Sequence, residues 1–456
     1  MTTPLLPDQA PIIALASGRE AAAISILRVS GEGCHDVLKT HLRTRMDPTW
    51  PPRSLQLCEF LDHTGCVLDA PMAVFFYAPH SYTGQDSAEI YLHGSPYLIR
   101  TCMDVLLQAG FRQAEGGEFT RRAFLNGKMD LATAEGIDAL IHSVSEQQWM
   151  AAQQLTSGAL QRTVLGLRKS LLHTLSLLNA MIDFPEEEET SRLQLKQILP
   201  EVLQVQAQMA TLVDSYQSGS ITRNGLQVAI VGPPNAGKST LLNTLLQYER
   251  AIISPEPGTT RDFLEESLLL NGRVIRLIDT AGIRATAETV ESMGIERSVA
   301  QAQQADVVLF LFPADTVDVE LQLAQWVEKL QPKHHVLILT QIDVRAVHAK
   351  ESEGLRLSCR SGEGLDALKA KLIEFVDFHV TQSRGRDCFL SNRRHLHAIS
   401  QAAKNLEHYL QTWQEEGEDC LAFEIQQAVS HLESIIGKIT PDEILDSIFS
   451  QFCIGK

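Results

Sequence analysis

The chain has 456 residues, with 39 Lys plus Arg against 56 Asp plus Glu and a formal net charge of -17. At 44% hydrophobic and 21% charged residues it is long enough for two or three cored domains, which excludes a mostly disordered chain. The acidic balance excludes a protein that grips nucleic acid over its whole surface, because neutralising phosphates needs clustered Lys and Arg.

No apolar run reaches the roughly 18 residues of a membrane span. Met1 to Ala10 carries no basic region ahead of an apolar stretch, so a cytoplasmic protein is expected. The eight cysteines are scattered without a C-x-x-C pair or a His in zinc-ligand spacing, which predicts neither a disulfide scaffold nor a structural zinc site.

From Ile12 to about Glu118, β-rich runs (24–29, 73–77, 89–92) and a helical stretch over 97–109 are separated by turn clusters such as Gly31-Glu32-Gly33, which predicts a small α+β domain. Past Thr120 the apolar positions Leu160, Val164, Leu167, Leu171, Leu175, Leu178 and Ile182 recur every three or four residues. That stripe predicts a long packed helix ending at Phe184-Pro185, followed by a solvated acidic run over 186–189. Helical spacing resumes through Val202, Val205, Met209 and Leu212 and is expected to break at Ser218-Gly219. From Leu226 to about Val376 short apolar strands alternate with helical stretches, the pattern of a parallel α/β sheet. A polar hinge over 381–386 then precedes helical composition from His395 to Phe452. The fold class predicted is therefore α/β and α, with a helical domain interrupted by an inserted α/β domain.

The run Leu226 to Val231 enters Gly232-Pro233-Pro234-Asn235-Ala236-Gly237-Lys238-Ser239, and Leu241, Leu242 and Leu245 face a following helix. This is G-x-x-x-x-G-K-S in strand-loop-helix context. Backbone N–H groups from Asn235, Ala236 and Gly237 through Thr240 would close around phosphates, Lys238 would neutralise the outer ones, and the Ser239 hydroxyl would hold Mg²⁺. Thr260, in Gly258-Thr259-Thr260-Arg261-Asp262, stands where a first switch loop reaches Mg²⁺. Asp279, opening Asp279-Thr280-Ala281-Gly282, can hold the metal through water while Gly282 pivots a second switch.

Thr340-Gln341-Ile342-Asp343 follows another apolar strand. The Asp343 carboxylate can take N1–H and the exocyclic amine of guanine, a pair that adenine does not offer, so the nucleotide expected is GTP. The usual N-K-x-D motif lacks its first two residues here, as in some Rho-type GTPases, and Ser358-Cys359-Arg360 sits where S-A-K normally backs the base. Ile283 occupies the place of the catalytic Gln of Ras-like enzymes. Hydrolysis then needs another water-positioning group, for which Glu291 is the candidate, and another positive charge, for which a monovalent cation near Asn235 is the candidate.

These segments, with Ile24 to Gly31, Ser81-Tyr82-Thr83-Gly84, Gly117 to Leu131, Ile182 to Glu187 and the terminal Phe452-Cys453-Ile454-Gly455-Lys456, resemble the MnmE (TrmE) family of bacterial tRNA modification GTPases over essentially the whole chain. The resemblance implies a Ras-like P-loop G domain over 218–378. It also implies an N-terminal tetrahydrofolate-binding and dimerisation domain over 1–119, and a helical domain in two parts, 120–217 and 379–456. It implies a homodimer that works with the flavoprotein MnmG (GidA) to place a carboxymethylaminomethyl or aminomethyl group on C5 of the wobble uridine of certain tRNAs.

By position, a 5-formyl- or 5,10-methylene-tetrahydrofolate would meet Arg28, Glu89, Lys128 and Lys456. Potassium would be held by Asn235 with Ser254, Glu256 and Thr259, Glu291 would position water, and Cys453 would serve the modification chemistry. The helix before Cys453, with Ile444, Leu445, Ile448 and Phe449 on one face, is expected to dock the tail. Two departures, Gly18 to Ala23 and His93-Gly94-Ser95 in place of H-G-G, touch the folate pocket. Arg121-Arg122 and Arg393-Arg394-His395 are candidate tRNA contacts. A GTP-dependent ribosome or RNA assembly switch is the alternative, but it leaves the N-terminal and Cys-Ile-Gly-Lys segments unexplained.

Overall fold

The computed structural model describes residues 10–18, 20–44, 47–183, 188–248, 265–279, 302–345, 354–438 and 441–455. The chain divides into two compact units, one of 1–141, 155–183 and 418–456, the other of 142–154 and 184–417.

The first unit opens with β1 (Ile12–Leu15), β2 (Ala22–Ser30), α1 (Cys34–His41), β3 (Leu42–Thr44), β4 (Gln56–Leu61), β5 (Val67–Asp69), β6 (Met72–Phe76), β7 (Ser87–Gly94), α2 (Pro96–Gln108) and β8 (Arg112–Gln113). The strands form one sheet in the order β3-β4-β6-β7-β2-β1-β8. Alternation decides its faces. Leu27 and Val29 of β2, with Phe60, Phe75, Ile90 and Leu92, pack against Leu38 of α1 and Ile99, Cys102 and Leu106 of α2. Arg28 therefore belongs to the opposite face, and its register partner there is Glu89 on β7.

Helices follow: α3 (Glu118–Leu125), α4 (Leu131–Ile141), α5 (Glu146–Thr156), α6 (Ala159–Asp183) and α7 (Glu188–Asn224). The predicted stripe of α6 is its buried side, with Leu160, Val164, Leu167, Leu171 and Leu178 each no more than 2% exposed. The described helix runs to Asp183, and the expected end at Phe184-Pro185 lies outside the described residues.

The expected break at Ser218-Gly219 does not occur: α7 continues to Asn224. Ser218 donates to or accepts from Nδ1 of His379 at 3.1 Å, and Thr222 Oγ1 lies 3.2 Å from Ser383 Oγ. Gly219 is glycine because a Cβ there would run into the Leu390 backbone. The polar pair serves a helix contact, which the local sequence does not disclose.

The second unit continues with β9 (Leu226–Val231), α8 (Lys238–Tyr248), β10 (Glu265–Leu270), β11 (Arg273–Asp279), β12 (Val307–Pro313), α9 (Val319–Leu330), β13 (His335–Thr340), β14 (Leu355–Leu357) and α10 (Leu365–Arg384). The sheet order is β10-β11-β9-β12-β13-β14. All pairs are parallel except β10 with β11. Alternate residues of β9 enter two cores, Val228 and Ile230 on one face and Ala229 and Val231 on the other, which is why these strands read as continuous apolar runs.

The expected hinge over 381–386 is instead helical to Arg384, because Ser383 is buried against α7. The chain closes with α11 (Arg393–Thr412), α12 (Glu418–Ile436) and α13 (Asp442–Phe449). Within the second unit α7 packs on α10 and α11, and within the first α6 packs on α12, where Arg168 bonds Glu433 at 2.6 Å. None of the described helices is long and apolar enough to cross a membrane.

Candidate functional site

Parallel strands present their C-terminal ends on one edge of a sheet, and ligands bind there. In the second unit that edge carries the ends of β9, β11, β12, β13 and β14, and hence Gly232, Asp279, Thr340 and Ser358. The register sets Asp279 beside Ile230 and Thr340 beside Pro313.

The loop between β9 and α8 is shaped by backbone. A Cβ on Gly232 would strike the Leu311 carbonyl, and Asn235 and Gly237 take φ of 61° and 87°. Lys238 opens α8 and donates from Nζ to the carbonyls of Gly232 at 2.8 Å and Pro233 at 2.9 Å, which folds its ammonium back over the loop. Ser239 and Thr240, in the first turn, are exposed, as is Asn235. First-turn N–H groups have no acceptor within their own helix, and the positive dipole end adds to Lys238. This curvature and charge fit a polyphosphate, and the exposed Ser239 hydroxyl fits a Mg²⁺ ligand.

The loop after β13 is bonded to this phosphate loop. The Thr340 hydroxyl, buried, donates to the Ala236 carbonyl at 2.8 Å and lies 3.2 Å from that of Phe312. Gln341, at φ 62°, donates from Nε2 to the Asn235 carbonyl at 2.8 Å. Asp343 is exposed, and its Oδ1 accepts from the fully buried Ser358 hydroxyl at 2.8 Å. Ser358 is itself held by the Ser361 N–H at 3.2 Å and by its own N–H donating to the Glu363 carbonyl. The departure from N-K-x-D thus keeps the two loops joined through a hydroxyl and an amide. Neither anchor could be read locally, because the partners lie 104 and 106 residues away.

Ser254, Glu256, Thr259, Thr260, Gly282, Ile283, Glu291 and Lys456 lie outside the described residues, as does the side chain of Asp279.

In the first unit Arg28 donates from Nε at 3.0 Å and Nη2 at 2.8 Å to Oε1 of Glu89, and from Nη1 to the Gly455 carbonyl at 3.1 Å. Its guanidinium lies 5.7 Å from the Tyr82 ring centre and 5.9 Å from that of Phe119. Tyr82 shares a hydrogen bond with Thr120 at 2.9 Å, and burial pushes its hydroxyl pKa up. Tyr91 donates to Glu89 Oε2 at 2.8 Å; burial, and then that bond, push its pKa up to about 12. Tyr82 and Phe119 stood in the matched segments without a role, and the structure makes them the walls around Arg28.

The structure brings Arg28, Glu89 and the tail with Cys453 together. Lys128 donates to the Pro79 carbonyl at 2.9 Å and packs beside Gly84, on the loop that carries Tyr82. Leu445 and Phe449 dock the last helix against Leu131 and Ala134, with Ile448 packed beside them, whereas Ile444 is 43% exposed and takes no part.

Four of the candidate basic residues are engaged within the fold, while Arg393 is exposed. Arg122 is buried, donating to Glu118 Oε1 at 2.8 Å and Gln85 Oε1 at 3.1 Å, and Arg121 pairs with Asp446 at 2.9 Å. Burial pushes the Glu118 carboxyl up, but hydrogen bonds from Arg112, the Glu115 N–H and Arg122 outweigh it and hold its pKa below the usual carboxylate range. His395 is fully buried with Arg394 against it at 3.0 Å. These residues hold the fold together.

A sheet of this order, a phosphate loop leading into α8 and an exposed carboxylate past the end of β13 have the form of a P-loop GTPase domain. Residues 11–128 match the model described as GTP-binding protein TrmE N-terminus, and residues 131–453 match the MnmE helical domain. The tRNA modification GTPase MnmE of Aquifex aeolicus is 36% identical over 452 residues, covering 98% of this chain and 99% of its own, and that of Christiangramia forsetii is 37% identical with the same coverage. The chain belongs to the MnmE family of tRNA modification GTPases. Among solved structures, the G domain of T. maritima FeoB aligns with 33% of this chain and 98% of its own length at 25% identity, with a TM-score of 0.25.

Proposed function

We propose that the protein hydrolyses GTP to drive modification of tRNA, acting with MnmG at C5 of the wobble uridine. The observation that carries the GTP half is the joined pair of loops: Asp343, oriented by Ser358, sits on a segment bonded through Thr340 and Gln341 to the phosphate loop. Guanine recognition and phosphate binding are thereby fixed relative to one another, as catalysis by positioning requires.

Bound GTP supplies the scissile phosphoanhydride. Lys238 and the first turn of α8 would hold its phosphates, Ser239 with Thr260 would hold Mg²⁺, with Asp279 reaching it through water, and Asn235 with Ser254, Glu256 and Thr259 would hold potassium. Glu291 orients the attacking water. Potassium should therefore be required for turnover, adding on the order of 10³-fold, as an arginine finger does elsewhere. Equal rates in sodium and potassium buffers would overturn that part.

The remaining assignments are tetrahydrofolate binding at Arg28, Glu89, Lys128 and Lys456, and a role for Cys453 in the modification step. Glu89 suits the amino edge of a pterin, and Arg28, with its wall of Tyr82 and Phe119, suits a ligand that is both flat and anionic. The domain division is 1–119, 120–217, 218–378 and 379–456, in a cytoplasmic homodimer. The pairing face is the sheet side opposite α1 and α2, where Leu57 and Met72 are exposed and register with one another and with Tyr91. Deleting the gene should abolish the modified wobble uridine in total tRNA, and the wild-type gene should restore it. Unchanged modification in the deletion strain refutes the reading.

A further inference from the structure

Residues 450–455, past α13, form no helix or strand of their own, and segments without such structure are ordinarily mobile. Here the segment is fixed at successive residues. Phe452 is 5% exposed in the cluster of Leu131, Ala134, Leu445 and Phe449. The Gly117 N–H donates to the Cys453 carbonyl at 3.3 Å, and Ile454 forms an antiparallel bridge with Gly116. Arg28 Nη1 donates to the Gly455 carbonyl at 3.1 Å across 427 residues of sequence.

Close approach is built into both sides. A Cβ on Gly117 would come within 2.9 Å of the Phe452 side chain, one on Gly116 within 2.7 Å of the Phe452 carbonyl, and one on Gly455 within 2.5 Å of the Leu15 carbonyl.

We propose that Arg28 is the anchor of the C-terminal segment and, through it, the positioning residue for Cys453. Three of the five guanidinium N–H donors are committed within the chain, two to Glu89 and one to Gly455. Its charge is matched by Glu89, so Arg28 can spend a charge-assisted bond on a backbone carbonyl without leaving an uncompensated cation. Glu89 in turn is fixed by strand register and by Tyr91. The Gly117 and Arg28 bonds hold the backbone at Cys453 and two residues beyond it, so the thiol is placed by contacts on each side. The consequence for the modification step rests on the role proposed for Cys453; the anchoring itself does not.

The test uses full-length protein without folate, pulse-alkylated with iodoacetamide and read by peptide-resolved mass spectrometry. Arg28→Met keeps the stem between Tyr82 and Phe119 but removes the donors. Cys453 should label about tenfold faster than in wild type, while Cys34, fully buried in the same domain, stays protected. Arg28→Lys should recover part of the protection.

Wild-type labelling of Cys453 in Arg28→Met overturns the proposal. If Cys34 opens as well, Arg28→Met/Glu89→Gln, which strands no carboxylate, takes its place and is read by the same criterion. Calorimetry of the same variants with 5-formyl-tetrahydrofolate separates the two ideas. Released Cys453 with full folate binding keeps the anchor and removes Arg28 from the folate site, whereas unchanged labelling with lost folate binding does the reverse.

Discussion

The nucleotide loops and the Arg28 cluster are both polar sites, yet they are held in opposite ways. Around the phosphate loop the bonds described above join neutral groups, Thr340 to Ala236 and Gln341 to Asn235, or one charged group to a neutral one, the Ser358 hydroxyl to Asp343 and Lys238 to the Gly232 and Pro233 carbonyls. In the N-terminal unit the bonds are between opposite charges: Arg28 with Glu89, Arg112 and Arg122 with Glu118, and Arg121 with Asp446. A site whose counter-charge arrives with the ligand must be shaped by groups that do not neutralise it. A site whose charges answer one another is held by its own ion pairs, and those pairs also join chain segments.

The largest effect that would break this contrast is on base choice. Asp343→Asn keeps an acceptor for Ser358 but replaces an oxygen with a donor, so the affinity ratio of GTP to XTP should fall by about 10⁴-fold. Competition with a fluorescent guanine nucleotide reads it, and an unchanged ratio would assign the base to another residue.

On the charged side, Arg122→Ala takes one of two guanidinium partners from the half-buried Glu118, which keeps Arg112, and should cost the N-terminal unit about 2 kcal/mol. Urea unfolding followed by the near-ultraviolet signal measures it, and a loss below about 1 kcal/mol would mean that the network behaves as a surface one. Thr340→Val removes one neutral bond and should cost only about 1 kcal/mol of stability, with nucleotide affinity reduced about fivefold. Gln341→Lys, which restores the usual residue, should bind nucleotide as wild type does. Equal losses from Thr340→Val and Arg122→Ala would erase the distinction between the two sites.

The smallest effect concerns His379. Burial lowers its pKa below 6.5, with His334 and Lys333 acting the same way and Asp306 against them. The unfolded chain therefore takes up a proton near pH 6.5 that the folded ring refuses, and stability falls as pH drops below that value. His379→Gln should flatten this part of the stability profile between pH 7.5 and 5.5. Superimposable profiles would show that the ring contributes nothing to acid sensitivity.

The sequence disclosed what is local. The phosphate loop is one strand, one turn and one helix within about two dozen residues, and the α6 stripe repeats within a single element, so both could be read without a partner. Ser218-Gly219 and Thr381 to Arg384 looked like breaks because polar and small residues end helices when nothing answers them. Here His379, Ser383 and the Leu390 backbone do. Arg28 could be singled out by resemblance alone, and its bond to Gly455 required the whole chain to fold first. The exposed Ile444 marks the same limit, since helical spacing names a face but not how wide the covered strip is.

The seam between α7 and α10 has a consequence for how the α/β domain can sit inside a helical one. The Thr222 to Ser383 contact closes a loop of 161 residues, with the chain entering the sheet from one helix and leaving by the other alongside it. Closure entropy grows only with the logarithm of loop length, about 0.6 kcal/mol per doubling. Once the two helices have zipped together, the insert resembles a bead tied at a single knot. Its size is then almost indifferent to the bundle that carries it, and lengthening or trimming its surface loops should leave the knot's stability nearly unchanged.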